Sequence, residues 1–194
     1  MSFSDLVKEN RSRRSFRSGE KIPHEALISL CELAQSCPAA MNLQPLKYRL
    51  VSSEEECASM LQNTRWASSL EQKLPPVGHE PSGYIVICHD LTVVEQKPIF
   101  MIDVGIVAQT MMLGAVEMGF GGCIIGSGNP STIAEILHLP SHLVPALVLG
   151  LGVPAETVVL TEAQNGAVKY YRDENNVHYV PKRPLSELII EETK

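Results

Sequence analysis

One stretch, Met101 to Gly126, restricts what this chain can fold into more than any other. It reads MIDVGIVAQTMMLGAVEMGFGGCIIG and is the longest apolar segment, interrupted only by Asp103, Gln109, Thr110 and Glu117. From Asp103 to Met118 the apolar residues fall on every side of a 3.6-residue wheel, so the pattern predicts a helix buried nearly all round. Gly119, Gly121 and Gly122 end that helix, and Cys123, Ile124 and Ile125 read as a short inner strand closed by Gly126. Such a length also suits a membrane span. Against this, Asp103 and Glu117 would each cost about 2.5–3.5 kcal/mol near a bilayer centre, and no cluster of Lys or Arg flanks the segment. The better reading is a central helix that the rest of the chain packs around, open to sharing with a second subunit.

A chain of 194 residues suits one domain, residues 1–194, and shows no internal repeat, low-complexity run or linker. The formal net charge of −6 argues against general nucleic-acid binding. Five cysteines (Cys31, Cys37, Cys57, Cys88, Cys123) without C-x-x-C spacing suggest neither a disulfide framework nor a zinc site, so a reducing cytoplasm is expected. The opening MSFSDLVKENRSRRSF has no apolar core of the kind a secretory signal needs.

Against the acidic total, Arg11, Arg13, Arg14 and Arg17 form a local basic cluster. It reads as a solvated loop or as an anion site, since guanidinium forks match phosphate oxygens in pairs and Ser15 adds a hydroxyl. Before it, Phe3, Leu6 and Val7 predict a short amphipathic helix. After it, Pro23 followed by Leu27, Leu30, Cys31 and Ala34 predicts a helix ending before Pro38. The loop from Cys37 to Pro45 holds two amides, Asn42 and Gln44, among small residues. These are turn formers, or donors and acceptors for a flat heterocycle that approaches the backbone closely. Leu46 to Leu50 alternates as a half-buried strand, Ser53 and Glu56 form a capping box, and Tyr84 to Cys88 reads as a strand in the middle of a covered sheet. The stretch from Asn63 to Gly83, anchored by Trp66 and broken by Pro75, Pro76 and Pro81, is either a lid or a surface connection.

Asn129-Pro130 opens a helix through Ile133, Ile136 and Leu137, and Val144 to Leu151 is a second buried strand. His138 and His142 are read as loop histidines, because Pro140 lies between them and no third ligand is near. Neither Gly119-Phe120-Gly121 nor Gly150-Leu151-Gly152 is a dinucleotide fingerprint, and no P-loop is present. Val168–Arg172 and Val177–Val180 predict a hairpin, followed by Lys182, Arg183 and a last short helix with Leu185, Leu188 and Ile189 inward.

Taken in order, these pieces resemble the FMN-dependent nitroreductase family over almost the whole chain. The family opens with R-R-S-x-R, here Arg13-Arg14-Ser15-Phe16-Arg17. It carries a P-S-x-x-N-x-Q-P-W loop, here Pro38-Ala39-Ala40-Met41-Asn42-Leu43-Gln44-Pro45-Leu46. Its buried helix ends in G-[LF]-G-x-x-x-I-G, as from Gly119 to Gly126, and a basic motif precedes P-L-x-E, as in Lys182-Arg183-Pro184-Leu185-Ser186-Glu187. Ala39 replaces the usual serine and Leu46 the usual aromatic, each removing a contact and leaving substrate preference open. The chain is also short for the family, implying reduced covering helices between residues 63 and 83.

The resemblance implies an α+β fold: a three-layer α/β/α sandwich with a central mixed sheet flanked by helices, in an intertwined homodimer. It implies FMN at the subunit interface, with Arg13 and Arg183 on the phosphate and Arg14, Ser15 and Lys182 assisting. Arg17 would lie near N1 and O2 of the isoalloxazine, where a cation stabilises the reduced flavin and raises its potential. The backbone of Ile125 and Gly126 would reach the N5–O4 edge. Pro38, Ala39, Ala40, Asn42 and Gln44 would come from the other subunit. The implied activity is ping-pong: NADH or NADPH reduces the flavin, then a nitroaromatic, quinone or similar small-molecule acceptor takes the electrons. No protein acid, base or nucleophile is nominated, no metal is expected, and Cys123 reads as a core thiol. No membrane or nucleic-acid partner is implied. The competing readings are other flavin chemistry on the same fold (dehalogenation, flavin fragmentation, azoline oxidation), a non-enzymatic flavin-binding protein, and a purely structural dimer.

Overall fold

A computed structural model of the chain describes residues 1–67, 70 and 72–190. It divides into two compact units, Met1–Ala155 and Glu156–Lys194. In the first, the elements are α1 (Phe3–Glu9), α2 (His24–Gln35), β1 (Leu46–Val51), α3 (Glu54–Gln62), β2 (Gly83–Asp90), α4 (Phe100–Glu117), β3 (Gly121–Ile125), α5 (Pro130–Ile136) and β4 (Leu143–Gly152). The helices start where side chains can satisfy their first free N–H groups. Ser2 and Asp5 make a reciprocal capping box at α1, Ser53 Oγ accepts from the Glu56 N–H at 3.3 Å, and Asn129 Oδ1 accepts from Ser131 and Thr132.

The four strands pair in the order β1-β2-β4-β3. Every pairing in this sheet is antiparallel. Strand β2 is buried at all eight positions, as its continuous apolar run predicts. Its side chains alternate between two layers. Ile85 and Ile87 pack with Leu27, Leu30 and Met111 beneath α2 and α4, while Tyr84, Val86 and Cys88 pack with Met60 and Ile133 beneath α3 and α5. Helices therefore cover both faces, giving the three layers of the expected α+β sandwich. Each such fully buried aliphatic side chain contributes about 1.5–3 kcal/mol relative to exposure. The register slips at Cys88, which faces Pro145, a residue with no N–H to lose where the ladder breaks.

Helix α4 is not buried nearly all round. Asp103, Val104, Val107, Ala108, Met111, Met112 and Ala115 are inside, but Met101, Ile102, Gly105 and Gln109 form an exposed face. A helix lying on one face of a sheet can offer that sheet only one side, so the apolar residues opposite remain uncovered in the single chain. It is the one helix among the described residues long and apolar enough to cross a membrane, and half of it is buried inside the protein. Helix α1 departs from its amphipathic reading in the same way, with no buried residue and Phe3 largely exposed. Gly121 and Gly122, expected in the helix exit, instead open β3, and Gly119 alone makes the left-handed turn at φ 84°.

The second unit is a three-stranded sheet of β5 (Val158–Glu162), β6 (Tyr171–Arg172) and β7 (His178–Lys182), in the order β5-β7-β6. The hairpin around Asp173-Glu174-Asn175-Asn176 is present, with Tyr171 facing Tyr179. Strand β5 pairs with β7 in parallel, so mixed pairing belongs to this small sheet and the four-stranded sheet is antiparallel throughout. The buried Arg172–Glu156 ion pair ties the turn side of the hairpin to the residues before β5. Leu185, Leu188 and Ile189 do not face inward. A single 3₁₀ turn, Leu185–Glu187, is too short to present an apolar stripe, and all three side chains are exposed. The covering segment expected between residues 63 and 83 includes Ser68, Ser69 and Glu71, which lie outside the described residues.

Candidate functional site

The arginine segment is held in extended form by its backbone. The Arg13 N–H donates to Gly122 O at 2.7 Å, Phe16 N–H to His79 O at 3.0 Å and Arg17 N–H to Val153 O at 2.8 Å, while Ser15 O accepts from Ala155. Missing side chains on the neighbouring strands make this approach possible. A Cβ on Gly121 would lie 3.2 Å from Arg13 Cγ, and one on Gly152 would lie 2.8 Å from the Phe16 ring. Phe16 then points into the core, edge-on to Trp66 with ring centroids 6.4 Å apart. Arg13 and Ser15 are buried along with Phe16, and Arg17 is exposed.

Arg13 Nη2 donates to Glu9 Oε1 at 2.5 Å, and Arg17 Nη1 lies 3.4 Å from Glu20 Oε1. Arg11 donates from Nη2 to Val7 O and from Nε to Asn10 O, where the carbonyls ending α1 welcome a cation. Burial and then the positive charge of Arg13 push the Arg11 guanidinium below its ordinary value. Arg11, Arg13, Arg14 and Arg17 concentrate positive charge on one segment of an acidic protein. The donor types fit a phosphate monoester: buried and half-buried guanidinium groups, the Ser15 hydroxyl, and room created by glycines. A cavity of about 400 Å³ adjoins Arg17, lined also by Lys21, Glu54, Cys57, Leu61 and Pro81. Burial, then Glu56, pushes the Cys57 thiol up to about 11, so it is protonated at neutral pH.

The amide loop lies elsewhere. Ala40–Asn42 makes one 3₁₀ turn, with Met41, Asn42 and Gln44 at φ 52°, 54° and 51°. Gln44 Nε2 donates to Asn42 Oδ1 at 3.2 Å, and Pro38, Met41, Asn42 and Gln44 are exposed. Ala39 and Ala40 are half-buried. A second cavity, of about 280 Å³, opens between this loop, Tyr48 and Asp103. Burial, reinforced by Cys31 and Cys37, pushes the Tyr48 hydroxyl up to about 12.

At the end of β3, Ile125 is buried and Gly126 is exposed, with open space where a Cβ would stand. Cys123 is buried. Lys182 ends β7, and Arg183 pairs with Glu187 at 2.8 Å; both belong to the second unit. Neither Glu9 nor His79 is singled out in the sequence, where Asp103 counts only as a charge that argues against a membrane span. Glu9 stands four residues before Arg13, and Asp103 is a carboxylate inside the longest apolar run, so both carried a readable signal. His79 carried none.

Strand β2 measures the distance between the arginines and the amide loop. Its first residue, Gly83, is level with Gly122 through Leu151, and its last, Asp90, donates its N–H to Pro45 O at 2.8 Å. Eight residues make seven steps, so these ends lie about 24 Å apart along the strand. Laterally, β3 and β1 are the two edges of the sheet, separated by three strand spacings of about 4.8 Å. Arg13 and Asn42 thus occupy diagonally opposite corners of one sheet. Within the first unit, the arginine segment and the amide loop expected around one FMN therefore lie apart in a single chain.

An α+β sandwich with a basic, glycine-lined sheet edge is the class these features define. The chain belongs to the nitroreductase family, matching it over residues 7–153. It is 26% identical over 176 residues to an FMN reductase [NAD(P)H] of Bacillus subtilis, covering 79% of this chain and 68% of that protein. A second Bacillus subtilis protein, FMN reductase (NADPH), is 28% identical over 172 residues, covering 78% of this chain and 65% of that one. Among solved structures, a nitroreductase family protein from Clostridium novyi superposes with TM-score 0.67 at 25% identity, over 80% of this chain and 86% of that one. One from Clostridium difficile superposes over the full length of both chains with TM-score 0.70 at 24% identity, which shows a shared fold.

Proposed function

We propose that this protein is an FMN-dependent NAD(P)H oxidoreductase that works as a homodimer with FMN at the subunit interface. The observation that carries this reading is the diagonal separation of the arginine segment from the amide loop. One chain does not bring both groups to one small molecule, whereas a two-fold dimer would let the loop of one subunit meet the arginines of the other. The uncovered face of α4, with Met101, Ile102 and Gly105, and the exposed Phe3 and Val7 give such a dimer apolar surface to bury. Family membership and the names of the relatives support FMN and a reduced nicotinamide as the redox pair.

Bound FMN would supply the redox chemistry, taking electrons from NADH or NADPH and passing them to a nitroaromatic, quinone or similar acceptor. The protein's part is binding and electrostatics. Arg13, Arg14 and Ser15 would hold the phosphate, and Lys182 and Arg183 are the further cations that the family resemblance implies for it. Arg17 would set a positive charge beside the ring edge that becomes negative on reduction. Ile125 and Gly126 would offer main-chain groups to the opposite edge, and Pro38, Ala39, Ala40, Asn42 and Gln44 of the second subunit would close the site. Cys31, Cys37, Cys57 and Cys88 are free thiols, which suits a reducing cytoplasm. Sedimentation of the FMN-loaded protein tests the assembly: a dimer with one FMN per subunit is expected, and a monomer that holds FMN equally well would contradict it.

A further inference from the structure

Asp103 is the buried carboxylate of α4, only 3% exposed. Both of its oxygens face one donor, the Ala40 N–H, at 3.0 and 3.1 Å. A charge taken out of water needs a strong local reason, and here the reason is the head of the amide loop. The loop it meets is not relaxed. Met41, Asn42 and Gln44 all take left-handed backbone conformations that side chains other than glycine disfavour, and such conformations persist only where the surroundings over-determine them. A second tether lies two turns further along the same face of α4, where Cys37 Sγ donates to Thr110 Oγ1 at 3.2 Å. The loop is thus fastened to α4 at its beginning and at the start of its 3₁₀ turn, and the exposed amides of Asn42 and Gln44 follow immediately.

We propose that Asp103 is a positioning residue for flavin binding: by anchoring the Ala40 N–H to α4, it holds the strained loop so that Asn42 and Gln44 present their amides to the FMN of the other subunit. This rests on the interfacial FMN site proposed above. Asp103 itself touches no flavin; it acts through Ala40. Its carboxylate and its place on the helix facing the other subunit make the loop's shape a property of α4.

The test uses the full-length protein, FMN fluorescence quenching for affinity, and amide hydrogen exchange of residues 39–44 for loop shape. In D103A the Ala40 amide should exchange faster and FMN should bind roughly tenfold more weakly, the scale set by losing one hydrogen bond to a charged group. D103N keeps an acceptor oxygen and should restore most of the affinity. Should D103A not fold, A40P removes the N–H from the other side while leaving Asp103 in place, and should weaken FMN binding alike. Residue 39 is already extended, as a following proline requires. Faster exchange with unchanged FMN affinity would overturn the positioning role and leave the FMN site standing. Unchanged exchange would overturn the anchor itself. A wild-type protein that binds no FMN would instead defeat the underlying functional reading, and this role with it.

Discussion

The guanidinium of Arg13, nine-tenths buried, is held 2.5 Å from the carboxylate of Glu9, whose own side chain is more than half exposed. Glu9 is the last residue of α1 and reaches Arg13 from four residues upstream. It occupies the guanidinium that the proposed site reserves for a phosphate. Two anions then compete for one cation.

Removing the competitor should strengthen FMN binding. A partly exposed pair contributes up to about 1 kcal/mol, so Glu9→Gln should raise FMN affinity by as much as about fivefold. Arg13→Ala and Arg183→Ala should each weaken it by tenfold or more, the cost of losing charge-assisted hydrogen bonds. Fluorescence titration with FMN reads all three. Unchanged FMN retention in both arginine variants would remove them from the phosphate.

Gly122 is required by packing. A Cβ there would stand 2.2 Å from the backbone oxygen of Gly150, which cannot move without parting β3 from β4. Gly122→Ala should therefore cost several kcal/mol, more than the usual range of 1–3 kcal/mol for overpacking, read as a lowered urea midpoint. Gly121→Ala meets only side chains, Pro154 and Arg13, and should cost less stability while disturbing FMN binding through Arg13.

Arg17 stands outward, its Nη1 3.4 Å from Glu20 Oε1. If its charge faces the flavin edge that becomes negative on reduction, Arg17→Ala should lower the bound flavin's two-electron potential by roughly 30 mV, about 1.4 kcal/mol. Spectroelectrochemistry of the FMN-loaded protein measures this, and an unchanged potential would separate Arg17 from that edge.

Burial holds the thiols of Cys31, Cys57 and Cys88 protonated up to about 11, against an ordinary value of 9.0, and Tyr48 up to about 12 against 10.0. The folded chain keeps these protons where the unfolded chain releases them. Their stabilising contribution is therefore complete below pH 9 and is lost as pH rises from 9 to about 11 for the thiols and from 10 to about 12 for Tyr48. Thermal or urea unfolding should show stability falling across that window, with Cys88→Ala flattening the fall. Stability constant from pH 9 to 11 would contradict it.

How much of this was readable depends on whether a residue's partners lie in its own chain. The spacing of Leu27, Leu30 and Ala34 and the unbroken run of β2 describe burial within one layer, and both elements formed as expected. Met101 and Ile102 of α4, Phe3 of α1, and Leu188 and Ile189 are apolar too, yet they are exposed, and no periodicity distinguishes an apolar face with a cover from one without. Strand β5 went unread because Val158–Glu162 is only half covered and pairs with a strand sixteen or more residues away. The four family motifs were legible as residue types. The separation of the arginine motif from the amide loop across the four-stranded sheet was not, because spacing along the chain says nothing of strand order. The left-handed run through Met41, Asn42 and Gln44 escaped as well, since none of these is glycine.

The most direct measurement is a visible absorption spectrum of the purified protein, reconstituted with FMN if needed, followed by anaerobic addition of NADH and then NADPH. A yellow protein that bleaches with either is the expected result and identifies the donor. A protein that stays colourless after reconstitution, or a yellow one that bleaches with neither, would contradict an FMN-dependent NAD(P)H oxidoreductase.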